Sequence, residues 1–88
     1  MDIETVWERI IAHAGEVFYT KRGIPYTYHI RNRQLILENT NRNISYSNFE
    51  TALTVVNPNI VKFEHLNLQD PSYIYGIITD DRIRNAST

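Results

Sequence analysis

Apolar residues near the start of the chain recur at Ile3, Val6, Trp7, Ile10, Ile11 and Ala14. That three- and four-residue spacing is one face of an amphipathic helix. Asp2 stands where an N-cap belongs, Glu4 suits the positive end of the helix dipole, and Gly15 is a natural stop. The pattern predicts a helix from about Asp2 to Ala14.

The period then shortens to two. The stretches "EVFYT", "YTYHI" and "QLILE" are rich in aromatic and β-branched residues, as strands are. "KRGIP" (Lys21 to Pro25) and "RNR" (Arg31 to Arg33) punctuate them. Tyr26, Tyr28 and Ile30 fall on one face of a strand, Thr27 and His29 on the other, and Leu35 and Leu37 share a face. Short links between short strands imply an antiparallel meander with one buried face.

The stretch "ENTNRNISYSNFETAL" (Glu38 to Leu53) passes from a polar loop into a second helical pattern. Ser47 and Glu50 have capping-box spacing, and Phe49, Ala52, Leu53 and Val56 form the apolar stripe. Asn57-Pro58 ends it, and Ile44 and Tyr46 allow a short strand just before the cap. "NIVKFEHLNL" reads as a fourth strand or an irregular crossing. In "DPSYIYGIITDDRI", Asp70 is the expected cap and Pro71 the first helical residue, with Tyr73, Ile74, Ile77 and Ile78 towards the core.

These elements predict an α+β fold: an N-terminal helix, a three-stranded antiparallel meander, a second helix, an extended segment and a short C-terminal helix. The first two helices are expected on one face of the sheet, in a winged-helix-like or small α/β sandwich arrangement. One compact domain should cover residues 1–84, with 85–88 a frayed tail.

Composition narrows the chemistry. Nine basic residues stand against ten acidic ones in 88, so neither a strongly cationic surface nor an acidic tail is expected overall. The absence of cysteine excludes disulfides, thiolate zinc sites and a thiol nucleophile, and it favours a reducing compartment. No apolar run approaches the ~20 residues of a membrane-spanning helix. A soluble cytoplasmic protein with no membrane partner is the expectation. His13, His29 and His65 lack the short spacings of metal ligands, so neither metal nor cofactor is expected. Asp80 and Asp81 are adjacent and diverge by ~100° on a helix, which favours a solvated end with a contact to Arg82. There is no nucleophile elbow and no phosphate-binding glycine loop. A non-catalytic protein follows.

Location of charge says more than its sum. Lys21, Arg22, Arg31, Arg33 and Arg42 lie between Lys21 and Asn43, where Glu38 is the sole acid. All five fall on turns, interleaved with Tyr26, Tyr28, Asn39, Asn41 and Asn43. Arginine beside asparagine suits phosphates and base edges, and a helix start at Ser47 adds anion-favouring N–H groups. In a meander, Lys21 and Arg22 lie at one end and Arg31 and Arg33 at the other, with Arg42 returning towards Lys21. The leading expectation is a small binding domain that contacts nucleic acid through these basic turns. The alternative is a protein-interaction or regulatory module, or a homodimer, that uses exposed tyrosines.

Across residues 7 to 83 the chain also resembles a pattern of small uncharacterised bacterial proteins. The pattern runs Trp-x-x-Ile, His-x-Gly-Glu-x-Phe-x-Thr, a Gly-x-Pro-aromatic-Thr turn, Ile-Ser-x-Ser-x-Phe-Glu, and Ser-Tyr-Ile ending in Asp-x-Arg-Ile. The resemblance implies a compact bacterial domain and carries no activity and no functional residues.

Overall fold

The computed structural model describes residues 2–84, and the tail 85–88 expected to fray lies outside the described residues. The order of elements is α1 (Ile3–Ala12), β1 (Phe18–Tyr19), β2 (Pro25–Tyr26), β3 (Tyr28–Arg31), β4 (Gln34–Leu37), β5 (Asn43–Ser45), α2 (Tyr46–Ala52), α3 (Ile60–His65), α4 (Pro71–Ile78) and α5 (Asp81–Arg84). A helix, antiparallel strands and further helices make the α+β fold that the sequence predicts.

The first helix follows its pattern. The Asp2 carboxylate accepts the Thr5 N–H at 2.8 Å, and Val6, Trp7 and Ile10 are buried. Gly15, at φ +90°, turns the chain, and its N–H donates to Tyr28 O at 2.9 Å. The Tyr28 hydroxyl donates to Ile10 O at 2.6 Å and ties α1 to the sheet.

The strands are grouped differently from the expected meander. "YTYHI" is divided at Thr27: Tyr26 sits opposite Phe18, while Tyr28 sits opposite Leu37. β1 and β2 form a two-stranded sheet of their own, and β5 completes a three-stranded sheet β3-β4-β5. The apolar alternation runs unbroken through Tyr26, Tyr28 and Ile30, so it carries no sign of the division. The reason is local: Gly15, not a strand residue, takes the outward carbonyl of Tyr28. Tyr28, Leu35, Leu37 and Ile44 fill the inner face, and each buried large apolar side chain contributes ~1.5–3 kcal/mol.

The second helix starts earlier than its capping box predicts. Ser45, not Ser47, is the N-cap, and its side chain makes no capping bond. β5 runs directly into α2, because the Tyr46 N–H is already taken by Arg33 O at 2.9 Å. Ser47 therefore lies inside the first turn and faces the Ser45 hydroxyl at 3.0 Å. The helix stops at Ala52, and Val56, 76% exposed, lies outside its buried stripe. Trp7 meets Tyr46 edge-on at 5.2 Å and Phe49 at 5.8 Å, joining α1 to α2.

The segment expected to be extended is α3. Its cap is Asn59, whose side chain accepts the Lys62 N–H at 2.8 Å, and it buries Phe63. Six residues with Ile60-Val61 at their start show no helical period. α4 buries Ile74, Ile77 and Ile78, with Asp70 at its cap position and Pro71 first, as predicted. Asp70 does not cap with its side chain; at φ +45° its carboxylate reaches Arg42 instead. Gly76 lets α4 lie against β1: a Cβ there would stand 2.7 Å from Tyr19 O. α5 buries Ile83, whose carbonyl accepts from Arg9 at 2.7 Å.

Candidate nucleic-acid interface

The turn from β1 to β2 is built by Thr20 and Gly23. Thr20 N–H donates to Ile24 O at 3.0 Å, its hydroxyl accepts the Ile24 N–H at 3.1 Å, and Gly23 takes φ +86°. This presents Lys21 and Arg22 at the tip. Between the tip and the helices α3 and α4 lies a cleft of about 710 Å³. Thr20, Lys21, Arg22 and Ile24 form its hairpin wall; Ile60, Glu64, Ser72 and Tyr73 form the helical wall. Lys21 Nζ leans towards the Tyr75 ring, 5.6 Å from its centroid. Arg22 makes no hydrogen bond, ion pair or ring contact with another described residue.

The other three predicted cations are elsewhere. Arg31 ends β3 on the outer sheet face, beside a shallow depression lined by His29, Ile36, Asn41 and Asn43. Arg33 and Asn32 turn the β3–β4 hairpin with positive φ, and the Arg33 guanidinium stacks 4.5 Å from the Tyr46 ring centroid. Arg42 is paired with Asp70 across the β4–β5 loop and the start of α4. So Lys21 and Arg22 are brought together in one cleft, and Arg31, Arg33 and Arg42 do not line it. Gln69 lies across the start of α2, where anion-favouring N–H groups were expected: its Oε1 accepts from Asn48 Nδ2 at 3.0 Å and from the Ser45 N–H at 3.4 Å, and its own N–H donates to Asn48 Oδ1 at 2.9 Å.

The expected exposed tyrosines are mostly core. Tyr26 and Tyr28 are buried, and burial pushes both phenols above their ordinary range. Tyr46, Tyr73 and Tyr75 are half-buried, and Tyr19, 57% exposed, is the one with its ring chiefly in solvent. Small strands with one buried face draw aromatic rings inward because the rings bring the most apolar area.

The predicted Asp80–Arg82 contact forms and is larger than expected. Arg82 grips Asp80 with Nε at 2.9 Å and Nη2 at 3.0 Å, Glu16 at 3.1 Å and Val17 O at 3.0 Å. Its guanidinium covers the Phe18 ring at 3.7 Å. The Arg82 hydrogen bonds hold the Asp80 carboxyl below its ordinary range, and His13 followed by Arg82 does the same for Glu16. Among the described residues no three His, Asp or Glu side chains come together in a metal-holding group, and no helix is long and apolar enough to cross a membrane.

No protein-family model, curated protein or solved structure matches this chain. The site is therefore assigned from its own chemistry. Sequence reasoning named Lys21 and Arg22 as candidates but not the helical wall opposite them. Ile60 and Glu64, four residues apart, are the one available signal, since that spacing places two side chains on one helix face.

Proposed function

We propose that this chain is a small non-catalytic binding domain that contacts nucleic acid, with the Lys21–Arg22 cleft as its principal contact. The observation that carries this reading is the position of Arg22, a cation without a partner among the described residues that lines a concave site. Side chains that serve the fold find partners, whereas a permanently charged guanidinium held free beside hydroxyl groups is ready for an external anion. Arg31 on the outer sheet face adds a second, weaker contact. Arg33 and Arg42 are assigned to the fold, because Tyr46 and Asp70 already hold them. The reading belongs to a bacterial cytoplasmic setting, in keeping with a chain free of cysteine.

The test is fluorescence anisotropy of labelled random oligonucleotides at low and moderate salt. Binding should weaken as salt rises, with a slope equivalent to about two phosphates, because each neutralised phosphate releases a counterion. Lys21→Glu with Arg22→Glu should abolish it, and Arg42→Glu should change it less than about twofold. Absence of binding to both single strands and duplexes at low salt overturns the reading.

A further inference from the structure

We infer that the Lys21–Arg22 cleft takes one unpaired nucleotide of a single strand, not the backbone of a duplex. The inference rests on the nucleic-acid reading above and sharpens it. A duplex presents a continuous track of phosphates, and a protein meets it with a row of free cations. That row is missing here: Arg33 is stacked on Tyr46 and Arg42 is neutralised by Asp70. The remaining pair of cations stands over a concavity instead of a flat face.

The volume and lining of the cleft fit an inserted group. About 710 Å³ lies within the range of ~300–1,000 Å³ that holds a small organic ligand. Cations stand on the hairpin wall only. The apolar floor between the walls is made by Ile24 of the hairpin wall, 51% exposed, with Ile60 and Tyr73 of the helical wall. Apolar and aromatic groups receive the face of a base, which is sequence-tolerant because every base has a π face.

Glu64 fixes the direction. It is the acid of the cleft, on the α3 wall, where it repels a phosphate and accepts an N–H from a base edge. The sugar-phosphate is therefore assigned to the Lys21–Arg22 side and the base to the Ile60–Glu64 side. The Thr20 hydroxyl lies on the same hairpin wall as the assigned sugar-phosphate. The Tyr73 ring is braced against Tyr26, edge-on at 4.8 Å, so the floor is positioned before a ligand arrives.

The experiment compares three labelled probes of equal length: an oligothymidylate, the corresponding oligothymidylate–oligoadenylate duplex, and an abasic deoxyribose-phosphate strand. The single strand should bind roughly tenfold tighter than the other two, the gain of placing a base on an apolar and aromatic platform. Ile24→Ala should reduce single-strand affinity severalfold and the weak duplex affinity by a smaller factor. Amide shifts should appear at residues 20–24, 60–64 and 72–73. Equal, salt-dependent binding of all three probes overturns this inference and leaves the broader reading intact. No binding of any probe overturns both. Tighter single-strand binding that survives Ile24→Ala with shifts only on the outer sheet face also overturns the assignment to the cleft.

Discussion

The two ends of the β1 strand treat positive charge in opposite ways. At its start, Arg82 is clamped by Asp80, Glu16, Val17 O and the Phe18 ring. At its far end, Arg22 projects from a tight turn and touches no described charge. Both arginines meet the same small hairpin, Arg82 reaching it from α5 and Arg22 standing in its turn. One is spent on joining α5 to the strand, and the other is left available. The contrast separates a cation held by the fold from one open to solvent in a chain whose net charge is close to zero.

The largest expected effect comes from breaking the clamped end. Arg82→Ala removes a two-pronged contact to Asp80, the Glu16 bond and the cover over Phe18. It should destabilise the fold by about 2–3 kcal/mol, allowing for partial solvent screening. Urea unfolding followed by circular dichroism measures it, and a loss under about 0.5 kcal/mol would place Arg82 among decorative surface charges.

Next is Tyr19, the last residue of the same strand, where α4 crosses it. Gly76→Ala puts a methyl group 2.7 Å from Tyr19 O, a backbone atom that cannot rotate away. Overpacking costs about 1–3 kcal/mol, partly offset by alanine's better helix propensity of about 1 kcal/mol. A net loss of about 1–2 kcal/mol is expected in the same assay. A gain in stability would show that α4 and β1 separate freely.

Acid gives a smaller and more specific effect. The Glu16 and Asp80 carboxyls titrate below their ordinary values of 4.5 and 3.8 in the folded chain. The unfolded chain then binds protons first as pH falls, so stability is full above about pH 5 and declines through the folded-state values. The decline should be flatter in Arg82→Ala, where the main cause for Asp80 is removed and Glu16 keeps only His13. Parallel acid profiles for the two proteins would assign the effect to other carboxylates.

At the open end the expected change in stability is the smallest. Arg22→Ala should leave the unfolding free energy within about 0.5 kcal/mol, while oligonucleotide binding falls. A substantial stability loss would break the comparison, since it would reveal an internal partner.

Elements with several turns or a clear alternation were legible in the sequence. The α1 stripe through Ile3, Val6, Trp7 and Ile10, the paired Leu35 and Leu37, and Pro71 opening α4 carry enough signal to be read alone, although α1 ends at Ala12, short of Ala14, and Ile11 is exposed. Three features were not. Thr27 divides two sheets without disturbing the alternation on either side. The cap of α2 moved to Ser45 because Arg33 O, a partner distant in sequence, had taken the Tyr46 N–H. α3 is too short for its period to appear, and without it the wall facing Lys21 and Arg22 was invisible. The hairpin wall of the candidate site was legible because turns are local; the opposite wall depends on tertiary packing. The sequence placed the basic residues on turns, but it did not distinguish Arg22 from Arg42, whose partner Asp70 lies 28 residues away.

Trp7 is the single tryptophan of the chain, enclosed by Tyr46 and Phe49 and absent from the cleft lining. Its intrinsic emission is therefore a native reporter of the α1–α2 core, blue in the folded chain and red-shifted on unfolding. Ligand entering between the hairpin and α3 should leave that emission unmoved. Each variant thus carries its own internal control: a spectrum that stays blue while affinity falls marks a lost contact, and one that shifts red marks a lost fold.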